Sequence, residues 1–389
     1  MDAHQTFENA VGRLNSDYFF REFTFSSNTF KPDPKAELEL ADKIVWLDDL
    51  MIVYQIKERM IREETTEDRE RRWFQDEVVK KASRQIRDTL KYLKTYRQIE
   101  LRNGRGDIFN IVTAQAGNPH KLVVYHPHNR IPTQCLLKKT HQSNTAGTIH
   151  LIHSEAYLGI LKTLVTPVEI AEYLAYREAL INRWRDVVET VSEKALVGHY
   201  LRNLPEEKPE QQYEAFVDAV AQKDKDWDIA HIIRVFSERR TTPNSRPEAG
   251  YAVLKALAKL NRTDMAEFKK RFRLSMEKAL GDTPCLPHRF SNPNKFGFVF
   301  IPLMRGDLPH RKNLLFNFTS LNKYDQKLDK CIGLTFIAEG EDSWCDVQWC
   351  PMEFPWHENP KIQAALDANY PFRPVKEKRV GRYGIEPAL

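Results

Sequence analysis

Apolar and polar positions near the start of the chain change period several times. Over residues 3–20, Phe7, Ala10, Val11 and Leu14 recur at near-helical spacing, which predicts an amphipathic helix. Two strand-like segments follow a polar, proline-containing loop: ELELADKIVWL from Glu37 to Leu47, and MIVYQIK from Met51 to Lys57. Asp48 and Asp49 mark a tight turn between them, so the pair predicts an antiparallel hairpin. A long charged helix is predicted from about Thr66 to Gln98. The turn sequence Asn103 to Gly106 then predicts a second hairpin. Leu122 to His126 and Thr148 to His153 are further predicted strands, and Leu158, Ile160 and Leu161 predict a short helix.

A helix start is written at Thr166-Pro167-Val168-Glu169: a capping hydroxyl, proline at the first helical position, and a glutamate that completes a capping box. Helical periodicity then runs to about Leu280, broken at Leu204 to Glu210 and Thr241 to Pro247. After Asp282 the segments FGFVFIPL, NLLFNFTSL, IGLTFIAEG and CDVQWC read as strands, with a short helix over Lys361 to Asn369. The last stretch is basic and reads as extended. The expected architecture is α/β and α, with three domains: an α/β core over 1–165, a helical middle domain over 166–282, and a mixed α/β domain with a basic tail over 283–389.

Composition narrows the function classes. With 41% apolar and 29% charged residues in 389, wholesale disorder and collagen-like repeats are excluded. No apolar run approaches the ~18 residues of a membrane span, so no membrane partner is expected. The first 20 residues lack a basic stretch followed by an apolar one, and are read as no secretory signal. Five cysteines without a CxxC pair argue against a disulfide framework and for the cytoplasm. The net charge of +5 permits a nucleic-acid partner without demanding one.

Candidate chemistry concentrates in the first hairpin. Side chains alternate along a strand, so Gln55 and Lys57 share one side while Ile56 joins Ile52 and Tyr54 on the other. Folding over the Asp48-Asp49 turn brings Asp42 level with Gln55 and Lys57. Asp42 and the Gln55 amide oxygen are hard ligands for a divalent ion such as Mg²⁺, or Mn²⁺ in its place. Lys57 can orient a water or stabilise charge on a phosphate in the transition state. Glu39 and Glu37 lie just upstream, and Glu39 is taken as an auxiliary carboxylate and metal ligand.

Ala41-Asp42 followed by Gln55-Ile56-Lys57 resembles the PD-(D/E)xK restriction-endonuclease-like nuclease superfamily, in the Q-x-K variant of Mrr-like restriction endonucleases. The resemblance covers roughly residues 1–165. It implies a Mg²⁺-dependent endonuclease acting on DNA, with RNA left open, in restriction or anti-phage defence. It also implies that a glutamate on the first helix, here Glu8, and a polar residue on the helix after the site, here Gln85, assist. Two departures are alanine before Asp42 and glutamine at position 55, which removes one negative charge from the metal site. That loss also supports an alternative: a catalytically inactive scaffold or adaptor that binds nucleic acid or a protein partner.

Between Val78 and Arg97 there are seven basic residues and one acid, Asp88. Lys80, Arg84, Arg87, Lys91 and Lys94 form one helical stripe, and Val78, Ala82, Ile86, Leu90 and Leu93 another, roughly 140° away. The helix can therefore dock its apolar face on the sheet and turn a basic face outward. Beside a phosphodiesterase-like site, that basic stripe is the candidate nucleic-acid surface. The helical and C-terminal domains leave room for a partner protein or a homo-oligomer. His126, His128, Cys135 and His141 match no standard zinc spacing.

Overall fold

The computed structural model describes residues 3–27, 29–33, 36–60, 64–113, 118–221, 229–239, 247–339 and 344–373. The basic tail beyond Arg373 lies outside them. The chain divides into two compact units, Met1–Gln222 and Lys223–Glu386.

The first unit opens with α1 (Ala3–Tyr18). Ten strands follow: β1 (Thr24–Ser27), β2 (Thr29–Asp33), β3 (Ala36–Glu39), β4 (Lys43–Leu47), β5 (Leu50–Glu58), β6 (Glu100–Asn103), β7 (Ile108–Asn110), β8 (His120–His126), β9 (Thr140–Ser143) and β10 (Gly147–His153). β2 and β3 form a separate ribbon; the others make an eight-stranded sheet in the order β7-β6-β1-β4-β5-β8-β10-β9. The expected hairpin is β4–β5, antiparallel with Lys43 opposite Tyr54 and Leu47 opposite Leu50. Asp48 at its turn takes φ 53°, a left-handed conformation that aspartate tolerates better than most residues. β5, β8 and β10 run parallel.

One expectation is corrected here. Glu37 to Leu47 is not a single strand: β3 pairs with β2, and β4 belongs to the main sheet. The chain turns between them at Leu40-Ala41-Asp42, where Leu40 and Ala41 are both buried, because β3 takes β2 as its partner and β4 takes β1 and β5.

The expected long helix runs from Glu67 to Thr95 as α2 (Glu67–Trp73), a π-helical stretch (Phe74–Lys81) and α3 (Ala82–Thr95). Thr66 caps it by accepting the Arg69 amide. The wider turn buries the adjacent Val78 and Val79 together. With Phe74, Ala82 and Ile86 they pack against Val123, Tyr125, Ile149 and Leu151 of the parallel strands. Farther along, Tyr92 and Leu93 cover Ile44, Met51 and Val53. The opposite sheet face carries α1 and α5 (Ser154–Thr163), after the short α4 (Thr133–Leu137). There the Tyr157 hydroxyl bridges Tyr54 at 3.1 Å and Asn15 at 2.5 Å.

Thr166 caps α6 (Pro167–Val188) through the Glu169 amide, as the sequence predicts; α7 (Glu193–Arg202) and α8 (Glu214–Ala221) follow. Arg177 is fully buried, pairs with Glu193 at 2.7 Å and donates to the carbonyls of Lys139 and Leu151, which ties α6 and α7 to the sheet. Guanidinium and ammonium groups around Glu193 outweigh its burial and hold its carboxyl down to about 2.

The second unit contains α9 (Ala230–Arg239), α10 (Pro247–Ala258), α11 (Arg262–Leu280), α12 (Arg311–Asp325) and α13 (Pro360–Ala368). Its sheet, in the order β11 (His288–Asn292), β12 (Phe296–Pro302), β13 (Lys330–Glu339) and β14 (Trp344–Glu353), is antiparallel except for the β12–β13 pair. Phe268 and Phe272 of α11 pack edge-on against Phe298, Phe300 and Phe336 on one face. On the other face α12 forms the crossover between β12 and β13, its Leu315 packed with Val299, Ile301 and Cys331.

Two further expectations change. NLLFNFTSL is helix, not strand: it lies within α12, whose buried Arg311, Leu315, Thr319, Asn322 and Lys323 follow a helical period. Its aromatic and β-branched content imitates strand composition. The helical stretch 166–282 is no unit of its own, because α6 to α8 belong to the first unit and α11 covers the sheet of the second.

Candidate active site

The carboxyl ends of parallel strands leave a crevice where loops and helix ends meet. β5 delivers Gln55 and Lys57 to that end, and β4, running the other way, starts there just after Asp42. The register that sets Lys43 opposite Tyr54 brings Asp42 level with Gln55. Asp42, Gln55 and Lys57 therefore share the sheet face covered by α3. The break at Leu40-Ala41 frees Asp42 from a strand position, and its Oδ2 accepts the Ile56 amide at 2.5 Å. This bond fixes the carboxylate to β5 between the other two residues of the triplet.

The environment works against the charge it holds. Asp42 is 9% exposed, and burial pushes its carboxyl up to about 6; the Lys57 ammonium and the Ile56 amide oppose the rise, while Glu39 and Glu8 add to it. Lys57 is half-buried, and burial lowers its ammonium; Asp42 opposes that, Lys81 reinforces it, and Glu77 and Glu39 oppose it. Each of the pair is thus the other's leading charge partner. Gln55 is 2% exposed and its Oε1 has no hydrogen-bond partner, a costly arrangement for a buried amide.

A second amide oxygen stands in the same condition. Glu77, Lys81, Gln85 and Thr89 follow one another at four-residue spacing along the covering helix. Glu77 and Lys81 act on Lys57, and the Thr89 hydroxyl donates to the Leu40 carbonyl next to Ala41-Asp42. Gln85 lies between them, and its Oε1 is buried without a partner. One carboxylate and two amide oxygens with unused lone pairs are donors of the type a hard divalent cation takes. Among the described residues, no group of three or more His, Cys, Asp or Glu side chains is placed to hold a metal.

The remaining sequence candidates separate. Glu39 is exposed on β3 and reaches the site through its charge on Asp42 and Lys57. Glu37 is exposed on the same strand. Glu8 is bound elsewhere: its carboxylate pairs at 2.5 Å with Lys43, which points to the opposite sheet face from Asp42. The basic stripe is solvent-facing as the periodicity predicts, since Lys80, Arg84, Arg87, Lys91 and Lys94 are all exposed. Lys80 pairs with Asp76 at 2.9 Å, which diminishes its share of that surface. Glu77 and Lys81 were missed as neighbours of Lys57; their signal was the four-residue step back from Gln85. No protein-family model, curated protein or solved structure matches the chain.

Proposed function

We propose that the first unit is a Mg²⁺- or Mn²⁺-dependent endonuclease that hydrolyses phosphodiester bonds of DNA. The observation that carries the reading is the convergence of Asp42, Lys57 and the unpartnered Gln55 oxygen at one end of the sheet. Asp42 and Gln55 would hold the ion, Gln85 would complete the oxygen set, and Glu39 would add negative charge from the rim. The bound ion would supply a polarised phosphate and a more acidic water. Lys57, whose ammonium is made easier to deprotonate by burial, orients that water or stabilises charge developing on the phosphate. Arg84, Arg87, Lys91 and Lys94 line the exposed side of the helix that covers the site and would track the phosphate backbone. A role in restriction or anti-phage defence rests on the resemblance to Mrr-like enzymes alone.

One observation favours the alternative, a binding scaffold that does not cut: the site has a single buried carboxylate among its donors and no cluster of three acidic or other metal-ligating side chains among the described residues. A cleavage assay on DNA and RNA with Mg²⁺ or Mn²⁺, run beside Lys57→Ala, separates the two. The nuclease reading expects metal-dependent cutting that falls by about 10²–10³ in the variant. Binding without cutting under every condition selects the scaffold.

A further inference from the structure

In the second unit a cavity of about 250 Å³ opens where two helices end. Tyr324, Asp325 and Lys327 come from the last turn of α12 and the residues after it. Leu366 and Asp367 come from the last turn of α13 and Gln363 from the turn before it, and Trp356, Glu358 and Tyr370 complete the wall. We infer that this cavity is a binding site for an organic cation of the methylated ammonium type.

Three independent features favour positive charge there. The first is the pair of helix C-termini, whose final carbonyls carry partial negative charge. The second is the carboxylates of Asp325, Glu358 and Asp367, against one lining ammonium, Lys327. Asp325 is compensated, since its Oδ2 accepts Arg289 at 2.5 Å, the Gln326 amide at 2.8 Å and the Tyr370 hydroxyl at 3.1 Å, so the free charge rests on Glu358 and Asp367. Asp367 accepts only a neutral amide, from Gln363 at 2.8 Å, among its described hydrogen bonds, and Glu358 is exposed. The third is the aromatic wall. Tyr324 and Trp356 lie 5.7 Å apart with their planes tilted by 34°, and Trp356 is fixed by donating its indole N–H to the Tyr324 carbonyl at 3.0 Å. Ring faces attract cations, and methylated ammonium ions seated among aromatic rings are the best-known use of that attraction.

The protein itself demonstrates the preference. The Lys327 ammonium lies 5.5 Å from the centre of the Trp356 ring. Lys327 holds that place with φ 50°, a left-handed position after α12 where glycine is the usual residue. The lysine is thus a tethered cation that a ligand with a permanent charge and greater apolar area would displace. The cavity is smaller than the ~300–1,000 Å³ of pockets for drug-sized molecules, so it suits a head group or a side-chain tip. The carboxylates and helix ends disfavour a phosphate in the same place.

Calorimetric titration with choline, and with its neutral isostere 3,3-dimethylbutan-1-ol, tests the inference on the full chain. Choline is expected to bind at least about tenfold more tightly than the isostere, the discrimination that ~1.4 kcal/mol of cation-specific attraction provides. Glu358→Gln with Asp367→Asn is expected to weaken choline at least about threefold and leave the isostere unchanged. Lys327→Gly removes the tethered competitor and is expected to tighten choline. A trimethyl-lysine peptide run in parallel distinguishes a protein side chain from a free small molecule as the source: tighter binding than choline assigns the side chain, and weaker binding the small molecule. Equal binding of choline and isostere, or no binding of choline by both wild type and Lys327→Gly at 50 mM, overturns it, as does binding of a neutral nucleoside in preference to choline.

Discussion

Replacing Asp42 with asparagine is expected to make the metal-free protein more stable while removing its function. The substitution keeps size and shape, and the asparagine carbonyl can still accept the Ile56 amide that Asp42 Oδ2 now holds at 2.5 Å. What it removes is a charge the native state holds at a cost. Burial raises the Asp42 carboxyl from 3.8 to about 6, a shift of about two units, and each unit corresponds to ~1.36 kcal/mol. Ionised Asp42 therefore costs the folded state about 3 kcal/mol relative to the unfolded chain. The sign follows from the raised value: the folded state binds the proton more tightly, so this penalty is small below about pH 4, grows between about 4 and 6, and levels off above that.

The assay is urea unfolding of wild type and Asp42→Asn in EDTA at several values between pH 4 and 7.5. Taking the difference between the two proteins cancels the other titrating groups. The variant's advantage should be near zero at pH 4, about half developed near pH 5 and about 3 kcal/mol at pH 7.5. Excess Mg²⁺ or Mn²⁺ should then stabilise the wild type, by RT ln(1 + [L]/Kd), and leave the variant unmoved. A variant advantage that does not change with pH, or a variant less stable than wild type at pH 7.5, would refute the reasoning, because Asp42 would then be a solvated or fully compensated carboxylate.

Gln55→Glu should tighten divalent-ion binding, read by calorimetry, because it adds a second carboxylate beside Asp42; unchanged affinity would remove Gln55 from the ligand set. Substituting Lys80, Arg84, Arg87 and Lys91 together by alanine should weaken DNA binding and lower its salt slope by about 0.9 for each phosphate no longer neutralised, with Lys80 contributing least because Asp76 holds it. Glu193→Gln should cost about 3–5 kcal/mol at pH 7 by leaving Arg177 buried without its counter-ion; the depressed Glu193 carboxyl makes that difference shrink as pH falls through its value of about 2. Gly333→Ala should destabilise the second unit by about 1–3 kcal/mol in denaturant melts, since a β-carbon on β13 would collide with the Thr319 hydroxyl of α12.

Much of the first unit was legible along the chain. Alternation in MIVYQIK and the Asp48-Asp49 turn were enough for the hairpin and for the shared side of Gln55 and Lys57, because strand geometry is local. The same locality made the Thr166 cap and the basic stripe of the long helix readable. Three things were decided only by tertiary packing. The break between β3 and β4 depends on which strands they pair with, β2 for one and β5 for the other, and two strands in different sheets leave the same strand-like trace as one. The helical state of α12 depends on the sheet face it covers, which overrides the strand-like composition of NLLFNFTSL. The partners of the charged groups are the third. Lys43 takes Glu8 on one face of the sheet, while Asp42, one residue away, accepts the Ile56 amide and shares the other face with Lys57 and the helix bearing Gln85. A sequence shows which side of a strand a residue occupies, but the depth of burial, and with it the proton affinity of Asp42, is set by the helix packed across it.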